Sequence, residues 1–135
     1  FALTHKDNDV LAAADATVRI LAAVSLGAHL QEAILDEASQ WISRAKINRW
    51  TECADRVVVG GMLSSACYIP DAFPAALYLS YRHANKPADG ICSNAQCGGD
   101  SCHRGSVVGS LLAASSPLPE ILIDRLVAAP RIINN

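Results

Sequence analysis

The residues best equipped for chemistry lie in one run, CGGDSCHRGSVVGSLL, from Cys97 to Leu112. Two glycines, an acid, a thiol, an imidazole and a guanidinium fall inside ten residues, and an apolar helical pattern follows. Three chemistries compete for it. In the first, Gly98 and Gly99 make a turn and Asp100 or Ser101 caps the helix that follows, where an anion complements the helix dipole. In the second, Asp100 with Cys102 and His103 faces a metal ion. Cys92, Cys97 and Cys102 stand five apart, with His103 directly after. That is not the close cysteine pair and distant second pair of a structural zinc site. In the third, Cys102 is a nucleophile whose thiol is acidified by a helix N-terminus. Neighbours on a helix point apart, however, which places His103 poorly as the base for Cys102.

Helices must carry this turn. Asp7 or Asn8 caps a helix with apolar positions Val10, Leu11, Ala14, Val18 and Leu21, and Gly27 suits its exit. The spacing predicts a second helix from Gln31 to Lys46 with Ile34, Ala38, Trp41, Ile42 and Ala45 on its apolar face. It predicts a third, capped by Asn48 and ended by Gly60-Gly61; its RVVV run, taken alone, also suits a short strand. A fourth has Asp71 as its cap and Pro74 in the first turn, and stops near Asn85 because Pro87 follows. ADGICSNAQC reads as a short helix or turn. A helix follows Gly98-Gly99, and a last one runs from Glu120 to about Ala129. No sustained apolar–polar alternation is present, so the expected fold class is all-α, in a single domain over residues 1–135.

Composition narrows the function. Of 135 residues, 51% are hydrophobic and the formal net charge is −2. That suits a packed core and gives no electrostatic case for nucleic acid or an anionic membrane. No apolar run approaches the roughly 20 residues of a membrane span. The five cysteines are odd in number and dispersed, which points to reduced thiols in a cytoplasmic or other reducing compartment. The opening FALTHKDND reads as the interior of a longer protein, so a fragment or processed chain is expected. Trp41, Trp50, Cys53 and Cys67 read as core residues, and Tyr68, Tyr78 and Tyr81 as partly buried packing groups. His29 and His83 read as solvated residues at helix ends. Arg104 suits either a phosphate or a salt bridge on the helix surface.

Taken together, LTH at Leu3–His5, IPDAFPAALYLSYRH at Ile69–His83 and CGGDSCHRGSVVGSLLAA from Cys97 resemble the C-terminal half of the ADP-ribosylglycohydrolase family. The resemblance spans nearly the whole chain. It implies an all-α fold, a compact orthogonal helix bundle of which this chain is the C-terminal part, a pair of magnesium ions, and hydrolysis of a glycosidic bond to ADP-ribose or a related nucleotide-sugar. It makes His5, Gly98, Gly99 and Tyr68 candidate substrate-binding residues and Asp100, Cys102 and His103 candidate metal ligands.

Two departures qualify that implication. The family's Thr-Asp-Asp segment has no counterpart here, so an N-terminal half or a partner chain is expected to supply it. Cys102 and His103 stand where the family's Gly-Gly-Asp-Thr-Asp-Thr has its second aspartate and its last threonine. Magnesium favours oxygen donors, whereas thiolate and imidazole favour softer metals, so zinc, or no metal at all, becomes an alternative. SSACYI at Ser64–Ile69 and CHRG at Cys102–Gly105 resemble a divergent branch of the family. An enzyme and a non-catalytic binding or structural subunit therefore both stand as readings.

Overall fold

A computed structural model describes residues 3–128. Among them the secondary structure is helical, in the order α1 (Asn8–Ser25), α2 (Leu30–Glu37), α3 (Arg44–Thr51), α4 (Asp55–Val57), α5 (Ile69–Arg82), α6 (Pro87–Gln96), α7 (Ser101–Ser115) and α8 (Glu120–Asp124). The expected all-α class holds. None of these helices is long and apolar enough to cross a membrane.

α1 begins and ends as its sequence dictates. The Asp7 carboxylate accepts from the backbone N–H groups of Asp9 and Val10 at 2.9 and 3.2 Å. Ala13, Ala16, Ile20 and Val24, three or four apart, form its buried stripe. At the exit Gly27 takes φ 98°, Ala28 N–H donates to Ala23 C=O, and Gly27 N–H donates to Val24 C=O. This paired return of N–H groups closes the last turn.

The helix expected over Gln31–Lys46 is two helices. Ile42 and Ile47 are both buried but lie five apart, a spacing that one straight helix cannot turn to one face. The chain breaks at Ala38, and Ser43, in an extended conformation, restarts it by accepting from Lys46 N–H at 3.3 Å. Ala45, expected on the apolar face, is exposed. Asn48 lies inside α3 and caps nothing. The expected third helix is divided in turn: α3 ends at Thr51, α4 is a single turn, and a wide turn over Val58–Met62 closes at Gly60, φ 115°. Val59 and Leu63 share one isolated bridge and no strand forms.

α5 is the central helix. It touches α1, α2, α3, α6 and α7, and Phe73 through Ser80 are all buried, as befits a helix apolar on every side. It starts earlier than its sequence suggests. Tyr68 is the N-cap residue and Pro70 occupies the first turn, so Asp71 is not the cap and Pro74 lies inside the helix. Burial on all sides compensates Pro74 for the lost backbone bond. The helix stops at Arg82, three residues before Asn85. Trp41 packs edge-on against Phe73 with ring centroids 5.2 Å apart, and Trp50 does the same to Tyr78 at 5.9 Å. ADGICSNAQC belongs to a full helix, α6, which crosses α7 closely at Gly90. The last helix ends at Asp124; Ala129 lies outside the described residues. Cys67, expected in the core, is exposed, whereas Cys53 packs partly buried against it.

Candidate functional site

The glycine turn is built by contact with a distant loop. Gly98 and Gly99 take φ of 67° and 65°, a left-handed conformation that side chains resist. A Cβ on Gly99 would lie 2.1 Å from the carbonyl oxygen of Ser65. That same oxygen accepts from the backbone N–H of Asp100 at 2.9 Å. The second glycine is therefore needed twice, for its φ and for the approach of the SSACYI segment.

Arg104 fastens the turn from below. It is 3% exposed. Its Nε donates to Asn94 Oδ1 at 2.7 Å, and its Nη2 donates to the backbone carbonyls of Asn94 and Gly98 at 3.0 and 2.8 Å. Nη1 reaches the Ser65 carbonyl at 3.5 Å. Asn94 Nδ2 in turn donates to Ser101 C=O at 2.9 Å. Arg104 is thus neither a surface salt bridge nor an exposed phosphate contact. It satisfies carbonyls at the end of α6, where the helix dipole is negative. Burial lowers the pKa of its guanidinium.

Asp100 caps α7, accepting from His103 N–H at 3.4 Å. Both of its oxygens also face the His103 ring, with Nδ1 at 2.7 and 2.9 Å. The hydrogen bond from His103 holds the Asp100 carboxyl below the usual carboxylate range. The Asp100 side chain is 22% exposed and that of His103 87%.

A cleft of about 500 Å³ opens beside this pair. Its apolar wall is Val10, Ile69, Ala72, Phe73, Ala76 and Val107; its polar groups include His5, Asp100, His103, Arg104 and Ser106. The start of the chain, the start of α5 and the first turns of α7 therefore converge. Of the candidate substrate-binding and metal-ligating residues, His5, Asp100 and His103 line this cleft. His5 Nδ1 lies 2.8 Å from Thr4 Oγ1. Gly98 and Gly99 shape the turn without lining the cleft. Cys102 is exposed and outside it. Tyr68, expected to be partly buried, is 71% exposed and also outside it, although Cys67 and Ile69 on either side line the wall.

The donor set does not suit magnesium. Asp100 is the one carboxylate of the motif, and an imidazole lies against both of its oxygens. Magnesium requires hard oxygen donors in octahedral order. Among the described residues no three His, Cys, Asp or Glu side chains are placed to hold an ion.

A second polar cluster escaped the sequence reading. Asp55 Oδ1 accepts from Tyr78 Oη at 2.7 Å and pairs with Arg82 Nε at 3.2 Å. Its Oδ2 faces His83 Nε2 at 2.8 Å and accepts from the Ser93 hydroxyl. Burial alone would raise the Asp55 pKa, but the bonds from His83, Ser93 and Tyr78 outweigh it and hold the carboxyl far below its usual range. Burial, then the hydrogen bond to Asp55 and its charge, raises Tyr78, and burial followed by the Asp55 charge raises the Cys97 thiol. His83 is therefore a largely buried residue held against a carboxylate and not a solvated one, and Tyr78 is fully buried. The partners lie 23 to 38 positions apart, and no short-range pattern announces them. His29, by contrast, is exposed at the start of α2 as expected.

Comparison with curated proteins and with solved structures finds no match. The family model for ADP-ribosylglycohydrolase matches residues 1–131, which takes in all three motifs and both walls of the cleft. This chain belongs to the ADP-ribosylglycohydrolase family.

Proposed function

We propose that the cleft between α1, α5 and α7 binds ADP-ribose or a related nucleotide-sugar, and that the protein is a glycohydrolase-like enzyme of that ligand class. One observation carries this reading. His5 and the Asp100–His103 pair, separated by most of the chain, line one cleft together with apolar residues of α1, α5 and α7. Ligand sites commonly combine an apolar lining with a few convergent polar groups. The Ile69–Phe73 side is suited to a base, and His5 with the α7 turn to the polar ribose and phosphates. A further segment or partner chain supplies the acidic residues for which this sequence has no counterpart.

A second reading is favoured by the Asp100–His103 contact: the cleft binds its ligand without hydrolysing it, and the chain serves as a binding or structural subunit. Calorimetry with ADP-ribose, alongside release of ADP-ribose from a modified peptide, separates the two. Binding and release, both weakened in His5→Ala, support the enzyme. Binding without release supports the second reading, and the absence of binding rejects both.

A further inference from the structure

The Asp100–His103 pair fixes more than a helix cap. An ionised carboxylate can only accept hydrogen bonds. With Nδ1 within 2.9 Å of both Asp100 oxygens, the ring proton must sit on Nδ1. In the neutral form of the ring the other nitrogen, Nε2, then carries the lone pair. Both residues line the same cleft, beside the 3%-exposed Arg104. Arg104 brings positive charge to that wall, its guanidinium held by Asn94 and the Gly98 carbonyl, with no carboxylate within 4 Å among the described residues.

We infer that Asp100 serves His103 in place of a divalent cation, so that Nε2 of His103 is the polar element of the cleft, an acceptor for a ligand hydroxyl. The imidazole lies against both oxygens of the one carboxylate that the motif would offer a metal. The exchange of the motif's second acid and its threonine for Cys102 and His103 thereby becomes a coherent substitution: the hard donors go, and the group that replaces them holds the remaining acid. Ligand capture at this turn is consequently metal-independent. The hydroxyl part of the inference rests on the cleft being the ligand site; the pairing does not.

The test is imidazole nitrogen NMR on the full chain, read at a pH high enough that the His103 nitrogen signals no longer move with pH. His103 is expected as the Nδ1–H tautomer, and Asp100→Asn should return it to the Nε2–H form. Asparagine caps helices as well as aspartate does, so the variant keeps α7. Titration with Mn²⁺, and separately with Zn²⁺, should show no saturable site at the turn. An Nε2–H tautomer in the unmodified chain, or a saturable ion lost in Asp100→Asn, overturns the inference. ADP-ribose added with EDTA should shift the Nε2 resonance. Binding that leaves Nε2 unmoved overturns the acceptor role. If the tautomer is as expected and ADP-ribose does not bind, the ligand part falls with the proposed function while the pairing stands.

Discussion

The backbone N–H of Asp100 donates to the carbonyl of Ser65, 35 residues away, at 2.9 Å, and Gly99 is the reason the two can meet. A methyl group on Gly99 would stand 2.1 Å from that oxygen, whereas one on Gly98 would meet nothing within 4 Å. Both positions have positive φ, so each alanine bears a left-handed cost of about 1–2 kcal/mol. Gly98→Ala should lose about that much. Gly99→Ala should lose clearly more, because backbone must move, and it should displace the cap of α7. Urea unfolding of the two variants gives the comparison; equal losses would mean that the Ser65 loop does not press on the turn.

Arg104 is expected to be irreplaceable by lysine. Its fork serves Asn94 Oδ1 and the carbonyls of Asn94 and Gly98 together, whereas a lysine ammonium on a flexible stem does not match a planar array. Arg104→Met leaves those acceptors buried and unpaired, each worth about 1–3 kcal/mol. A loss of about 3 kcal/mol or more is expected for Arg104→Met, and a smaller but definite loss for Arg104→Lys. Losses below 1 kcal/mol would show that water replaces the guanidinium freely.

These two positions also show what the sequence can and cannot convey. α1 and α7 are legible because cap, stripe and exit are local: Asp7 to Gly27 in one case, Asp100 with the apolar Val108, Leu111 and Leu112 in the other. The break between α2 and α3 is not, because it depends on Ile47 and Trp50 finding a core that the rest of the chain builds. Asp71 and Tyr68 exchange roles for a similar reason: burial of every residue from Phe73 to Ser80 lets α5 run through Pro74. At the site, type and spacing select Asp100 and His103 and the family motif adds His5, but nothing local shows that His103 turns back onto Asp100. The Asp55 cluster is wholly non-local. Arg104 misleads because a charged residue four positions into a helix usually faces water.

Asp55 should govern acid stability. Its carboxyl titrates lower in the folded protein than in the unfolded chain. Its contribution is therefore complete above the unfolded value of about 3.9 and disappears as pH falls from there toward the folded value. Asp55→Asn should lower stability at neutral pH by about 3 kcal/mol, the usual cost of breaking a buried pair. It should also flatten the fall in stability below about pH 4. Unfolding measured from pH 7 downward tests both. If the unmodified chain and the variant lose stability in parallel below pH 4, the carboxyl responsible lies elsewhere.

Gly90 ties this cluster to the helix crossing. A Cβ there would lie 2.6 Å from Leu112 Cδ1 and 2.8 Å from His83 Cβ. The leucine methyl is the end of a flexible chain and can give way; the histidine Cβ is fixed to the backbone of the α5 exit and cannot. Helix propensity alone would favour alanine over glycine by nearly 1 kcal/mol, so the sign of the effect is diagnostic. Overpacking of this kind costs about 1–3 kcal/mol and should outweigh the propensity gain, leaving Gly90→Ala less stable. The displacement should appear first at His83, whose Nε2 contact with Asp55 at 2.8 Å has no slack. A Gly90→Ala chain that is more stable, with the His83 ring signals unmoved, would mean that α6 and α7 stand further apart than their contact at Leu112 indicates.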